Sequence, residues 1–177
     1  MLMGMKMQNA VRVMAALKVL AVLAVPGVAV AGGSVTATAP ASVTILAPVT
    51  IEATQGLEFG GVTKPGSAGN TVTLDTSGNV TVTGSGNATH ASGAVTAAKF
   101  NLVGDAGVTY STTQSLSFDQ PGLTNVSASA PVVTNGAPGI IPASGVQELR
   151  FGGAFDLSAA TPIGAYTGAL SVTINYN

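Results

Sequence analysis

The chain has no cysteine, no tryptophan and one histidine, and its six basic and seven acidic residues make it only 7% charged over 177 positions, against roughly 25% in an ordinary soluble domain. Each shortage removes a class of function. Without cysteine there is no thiolate nucleophile and no disulfide framework, and a lone histidine cannot complete a Cys/His zinc site. Six Lys and Arg residues cannot form the basic cluster that displaces counterions from nucleic acid, so nucleic acid is excluded as a partner. Disorder is excluded too. Disordered chains are poor in apolar residues, whereas this one is 46% hydrophobic with a mean hydropathy of +0.50. What remains is a Gly-, Thr- and Val-rich domain that buries a core.

The same poverty argues against catalysis and against a cofactor. His90 is the only side chain that titrates near neutrality unaided, and it sits in the polar stretch Gly84 to Gly93 with no carboxylate nearby in sequence to orient it. The seven acids (Glu52, Glu58, Asp75, Asp105, Asp119, Glu148 and Asp156) are scattered, and nothing pairs two of them for acid/base work. Gly84-Ser85-Gly86 starts like a dinucleotide loop but lacks the third glycine and the following helix. Asp75 to Asn79 starts like a calcium loop but lacks the closing acid and reads as a tight turn. No catalytic, cofactor-binding or metal-binding residue is assigned.

The first thirty-one residues are different in kind. Lys6, Arg12 and Lys18 precede the apolar run Val19 to Val25, and Pro26-Gly27 leads into Val28-Ala29-Val30-Ala31. A basic region, a short apolar core and a small-x-small end are the three parts of a secretory signal peptide. Cleavage is expected after Ala31, with Ala29 and Ala31 as the small residues read by the peptidase. The apolar stretch is too short to span a bilayer comfortably, so no membrane span is expected after cleavage. The exported chain then keeps Lys64, Lys99 and Arg150 against all seven acids. Periplasm, cell surface and extracellular space are the expected locations.

From Gly32 onward apolar residues alternate with period two and never hold helical spacing for three turns, which predicts an all-β fold. The clearest strands are Val43 to Ile45, Val49 to Ile51, Leu57 to Phe59, Val72 to Leu74, Val80 to Val82, Phe100 to Leu102, Val108 to Tyr110 and Leu149 to Phe151. β-Branched Thr and Val suit a pleated, half-buried surface. Asp75 to Asn79 reads as a hairpin loop, and Pro121 to Gly145 as a long irregular loop. Strands every eight to twelve residues between Gly, Pro and Asn clusters predict a predominantly antiparallel immunoglobulin-like β-sandwich. The expected division is a signal peptide over 1–31, an N-terminal extension over 32–41 and the sandwich over 42–177. Phe59, Leu74, Val82, Phe100, Leu102, Tyr110, Phe151, Tyr166, Leu170, Val172 and Ile174 are its expected core.

The strongest pattern is at the end. Tyr166, Gly168, Leu170, Val172, Ile174 and Tyr176 alternate with Thr, Ala, Ser and Asn, which puts them on one face of a single strand. A glycine fourteen from the end (Gly164), an aromatic second from the end (Tyr176) and alternating apolar residues between them resemble the C-terminal motif of chaperone–usher pilus subunits. That resemblance implies an incomplete immunoglobulin-like fold whose last strand pairs with a periplasmic chaperone, the missing strand coming later from a neighbouring subunit's N-terminal extension. Many pilus subunits carry a disulfide, so any kinship is with their disulfide-free branches. The wider chain resembles family number 4402 of the domains of unknown function, secreted bacterial β-domains. That resemblance is carried by Ala47 to Ile51, Leu57 to Gly60, Phe100 to Gly104, Val108 to Tyr110, Gly164 to Gly168 and Val172 to Tyr176.

Three classes stay open from the sequence; the weakest is an enzyme or ligand-binding module, since the exported chain has no Trp and few aromatic or charged anchors, and the remaining two are non-enzymatic. One is a fibre or pilus-like subunit of the bacterial surface, partnered by copies of itself or related subunits and by a periplasmic chaperone. The other is a stand-alone envelope or matrix protein. A fibre subunit needs an extension its own domain does not use, and Val35, Ala37 and Ala39, spaced two apart before Pro40, are the candidate donor residues.

Overall fold

The computed structural model describes residues 32–176, so the leader and its cleavage residues Ala29 and Ala31 lie outside the described residues, as does Asn177. The chain divides between Ser42 and Val43. Residues 32–42 form no regular secondary structure and are exposed. From Val43 onward there are twelve strands: β1 (Thr50–Gln55), β2 (Gly61–Val62), β3 (Asn70–Leu74), β4 (Val80–Gly84), β5 (His90–Ser92), β6 (Ala98–Val103), β7 (Tyr110–Phe118), β8 (Thr124–Ala128), β9 (Val132–Val133), β10 (Val146–Phe151), β11 (Gly153–Leu157) and β12 (Gly168–Tyr176). Among the described residues there is no helix, and so none able to cross a membrane.

All the strand pairs are antiparallel. One sheet has the order β1-β6-β10-β9, a second β4-β3-β11-β8, and two-stranded ribbons are formed by β12 with β7 and β2 with β5. The hairpin between β3 and β4 closes where the sequence predicts it. The Asp75 carboxylate accepts from the backbone N–H groups of Ser77 and Asn79, both at 2.8 Å, and Gly78 takes φ of +91°. A short polar side chain thus replaces the missing backbone partners of the turn.

Two apolar clusters form the core. The first gathers Leu102, Ile141, Leu149 and Phe151 under Tyr110, with Leu170, Val172 and Ile174 packed against it. The second gathers Val72, Leu74, Phe155 and Leu157 around Phe59, with Leu116 and Phe118 packed against it. Phe59, Phe118 and Phe155 meet at centroid separations of 5.0 to 6.3 Å, tilted or edge-to-face as ring quadrupoles favour. Two segments serve both clusters. β7 gives Tyr110 to the first and Leu116 and Phe118 to the second, while β10 passes through Gly152 alone into β11 of the other sheet. A Cβ at Gly152 would strike the Leu74 carbonyl oxygen, so only glycine fits this crossing.

Several expectations need correction. Val43 to Ile45 is not a strand: no edge pairs with it, and Val43 and Ile45 are exposed. Leu57 to Phe59 makes one bridge, Glu58 with Thr96, because the chain turns away on either side. Pro121 to Gly145 holds β8 and β9, which its prolines and glycines conceal in sequence. β7 runs on to Phe118 through Ser111 to Ser117, where polar residues hide the strand. Of the expected core, Phe59, Leu74, Leu102, Tyr110 and Phe151 are buried, and the other six are half-buried. Val72, Val108, Ile141, Leu149, Phe155 and Leu157, with Ala88, Ala97 and Ala98, are buried beside them.

Three carboxylates are held below their usual range. Asp156 accepts from the Thr71 hydroxyl and from Asn125 Nδ2 at 2.6 Å, Glu148 from Arg150 at 2.8 Å, and Asp75 from the backbone of its own turn, Asn79 above all. The folded state therefore binds fewer protons than the unfolded chain. The stabilisation they give is full above the ordinary carboxylate range, about pH 4, and is lost as pH falls through the folded values. Thermal melts should show the melting temperature dropping below about pH 4, and Asp156→Asn should flatten that fall. An unchanged acid slope in Asp156→Asn would show that the Thr71 and Asn125 bonds do not favour the ionised form.

Candidate strand-binding groove

β12 is the long strand that the alternation predicts, paired with β7 without a break from Gly168↔Phe118 to Tyr176↔Tyr110. It begins at Gly168, so Gly164 and Tyr166 lie before it rather than on it. Tyr166 instead turns its hydroxyl to donate to the Pro162 carbonyl at 2.8 Å, closing the preceding loop. Gly168 has a steric reason to be glycine, because a Cβ there would strike the Ser117 carbonyl oxygen. Gly164 has open space around it. Leu170, Val172 and Ile174 face inward and are half-buried, while Tyr176 at the strand end is exposed.

Among the described residues β12 pairs only with β7, and β1 pairs only with β6. Each keeps one edge of backbone N–H and C=O groups without a strand partner. Where the end of β1 meets the start of β12 there is a groove of about 540 Å³, lined by Ala53 and Gln55 of β1, Phe100 of β6, Leu116 of β7, and Gly168 and Leu170 of β12. Sequence reasoning finds the β12 side through its alternation. It misses Leu116, masked by the polar run before it, and the role of β1, whose edge status is set by distant strands.

Past Leu57 and Tyr166 the groove continues into a deeper cavity of about 790 Å³, walled by Phe59, Phe118, Phe155 and Leu157, with Ile163 exposed at its lip. Among the described residues, the charged ones lining either part are Glu58 and Lys64. The arrangement can hold an extended, uncharged peptide: a strand edge for its backbone, a mixed polar and apolar groove beside that edge, and a larger, mainly apolar cavity next to it for bulky side chains. Among the described residues no three His, Asp or Glu side chains gather at a common point, and His90 lies exposed in the short strand β5 rather than in a loop.

No curated protein and no solved structure matches the chain. The model of one family, described as Domain of unknown function (DUF4402), matches residues 49–176, from just before β1 to the end of β12. That span is well over half of the chain and holds both edges of the groove, so this protein belongs to the family of that description.

Proposed function

We propose that this protein is a non-enzymatic structural subunit of a bacterial surface fibre, exported through the leader that precedes Gly32 and assembled by strand addition. In this reading the domain is an immunoglobulin-like sandwich short of one strand, and the strand is supplied by another subunit. The observation that carries it is the groove itself, which lies between the end of β1 and the start of β12, two strands that each have one edge unpaired among the described residues. A strand added there would pair with an edge and cover half-buried Phe100 and Leu170. A periplasmic chaperone holding the same groove before assembly fits the same chemistry.

Leu170→Glu places a charge in the groove at a half-buried side chain on the margin of the first cluster, so circular dichroism of the variant is read alongside to establish that it folds. Size-exclusion chromatography and electron microscopy of the exported full chain should show filaments for the natural sequence and folded monomers for Leu170→Glu. A natural chain that stays monomeric at high concentration after export would overturn the fibre reading in favour of a stand-alone envelope protein.

A further inference from the structure

We propose that Asn135-Gly136 is a self-modification site, at which slow conversion of Asn135 to aspartate or isoaspartate, with water as the only co-reactant, unpins β9 from β10. The sequence has one Asn-Gly step, and every other described asparagine is followed by a residue with a side chain. A glycine in that place leaves its backbone nitrogen unshielded, so it can attack the side-chain carbonyl of the residue before it. Neither residue is free to change. Gly136 takes φ of +79°, and a Cβ on it would lie 3.1 Å from Pro142 Cβ and 3.2 Å from Gln147 Nε2. Asn135 Nδ2 donates to the Val146 carbonyl at 2.7 Å, and its Oδ1 accepts from the Glu148 backbone N–H at 3.0 Å. One side-chain amide thus pairs with β10 as the peptide group of a strand would, and that takes the adjacent donor and acceptor that asparagine carries.

The step balances without an oxidant or a cofactor. The Gly136 nitrogen bonds to Asn135 Cγ and gives up its proton, the Cγ–Nδ2 bond breaks, and ammonia leaves carrying that proton. Water then opens the resulting cyclic imide at either carbonyl, giving aspartate or isoaspartate. Ring closure makes Cγ tetrahedral and expels Nδ2, so it does not proceed while the amide stays planar between Val146 and Glu148. Giving up those two hydrogen bonds slows the reaction by about tenfold or more relative to an unfolded chain. Access of water does not limit it, since Asn135 and Gly136 are both exposed.

Either product loosens the rim of the first sheet. β9 is two residues long and faces Leu149 and Arg150 of β10. Beyond it the Thr134 N–H donates to the Glu148 carbonyl at 3.2 Å, and the Asn135 side chain completes the attachment. Aspartate keeps an acceptor for the Glu148 N–H but loses the donor to Val146, whose carbonyl is left with the Ser144 hydroxyl and faces a carboxylate. Isoaspartate does more. Its main chain runs through Cβ and Cγ, and the carbonyl that accepts from Gln147 Nε2 at 2.8 Å becomes a free carboxylate. Because β9 is the outer strand of its sheet, its release makes β10 the new edge and uncovers Val133, which packs against the first cluster. The groove at β1 and β12 takes no part, so this site stands apart from the fibre reading.

The natural full chain tests this without a variant. It is aged folded and in urea at mildly alkaline pH, which favours loss of the attacking amide proton, with peptides mapped by mass spectrometry and isoaspartate counted by enzymatic methylation. Asn135 should convert ahead of Asn87 and Asn101, and about tenfold or more faster in urea than in the fold. Hydrogen exchange on the aged, folded chain should show peptides covering β9 and the start of β10 losing protection by about tenfold, while β6 keeps its own. Asn135→Asp supplies one product directly and should show the same local loss. Conversion of Asn135 no faster than that of Asn87 or Asn101 overturns the site. Equal rates in the fold and in urea overturn the control by β10, and an aged chain whose β9 keeps full protection overturns the unpinning.

Discussion

Phe151→Ala should lower the unfolding free energy by about 3–5 kcal/mol, the largest loss expected of a single truncation in this domain. Phe151 is 0% exposed and meets Phe100 edge-to-face at 5.5 Å. Its strand is fixed on both sides, by β6 along its whole length and by β9 opposite Leu149 and Arg150. The neighbours therefore cannot close over the vacated space, and the cavity adds to the lost transfer free energy. For a domain of this size the melting temperature should fall by on the order of 10 °C. Urea denaturation followed by far-ultraviolet circular dichroism measures it. A loss under about 1 kcal/mol would mean that the first cluster repacks freely.

The second large effect belongs to a polar group. Gln147 is 0% exposed near the start of β10, and its amide is fully engaged. Nε2 donates to the carbonyls of Asn135 at 2.8 Å and Ala137 at 3.0 Å, and Oε1 accepts from the Tyr110 hydroxyl. Burial pushes the Tyr110 phenol above its usual value, so the hydroxyl stays protonated and donates. Among these bonds, the one from Tyr110 ties the β7–β12 ribbon to the β10 sheet, and the other two hold the loop after β9. Gln147→Leu fills nearly the same space but strands the buried Tyr110 hydroxyl, worth about 1–3 kcal/mol when left without a partner, and also releases the carbonyls of Asn135 and Ala137. Tyr110→Phe alone should cost less, and in the double variant the stranded hydroxyl is gone. The losses should therefore fall short of additive by about 1 kcal/mol or more in a double-mutant cycle. Additive losses would show that the Tyr110–Gln147 bond contributes nothing.

Which parts of this fold are legible in sequence follows from where the information is stored. Period-two alternation is local, so Val72-Thr73-Leu74, Val80-Thr81-Val82 and the long run of β12 are visible as strands. The Asp75 turn is likewise local chemistry. The same alternation is misleading at Val43 to Ile45, where the strand pattern is real but no strand pairs with it among the described residues. It is silent at β11, which is fully woven into a sheet yet reads Gly-Ala-Phe-Asp-Leu. Pairing across long separations is not written in any window. That is why Gln147, a polar residue among apolar ones, gives no sign in sequence that it is the most enclosed polar side chain of the domain. The groove is half legible: β12 announces itself, but the free edge of β1 depends on β6 choosing β10 as its other neighbour.

The single-residue passage at Gly152 has a consequence for how the domain comes apart. β10 and β11 are one continuous stretch of chain whose two halves belong to different sheets, and β7 is shared in the same way between the two clusters. Neither cluster can melt while the other keeps its strands, since loosening one end of either segment removes support from the other. Amide protons in β3 and in β6, on opposite sheets, should accordingly exchange with deuterium through the same rare global opening and share one protection free energy. Continuity of two strands across the core thus makes twelve mostly short strands behave as a single cooperative unit, in a protein that has no disulfide to impose that unity.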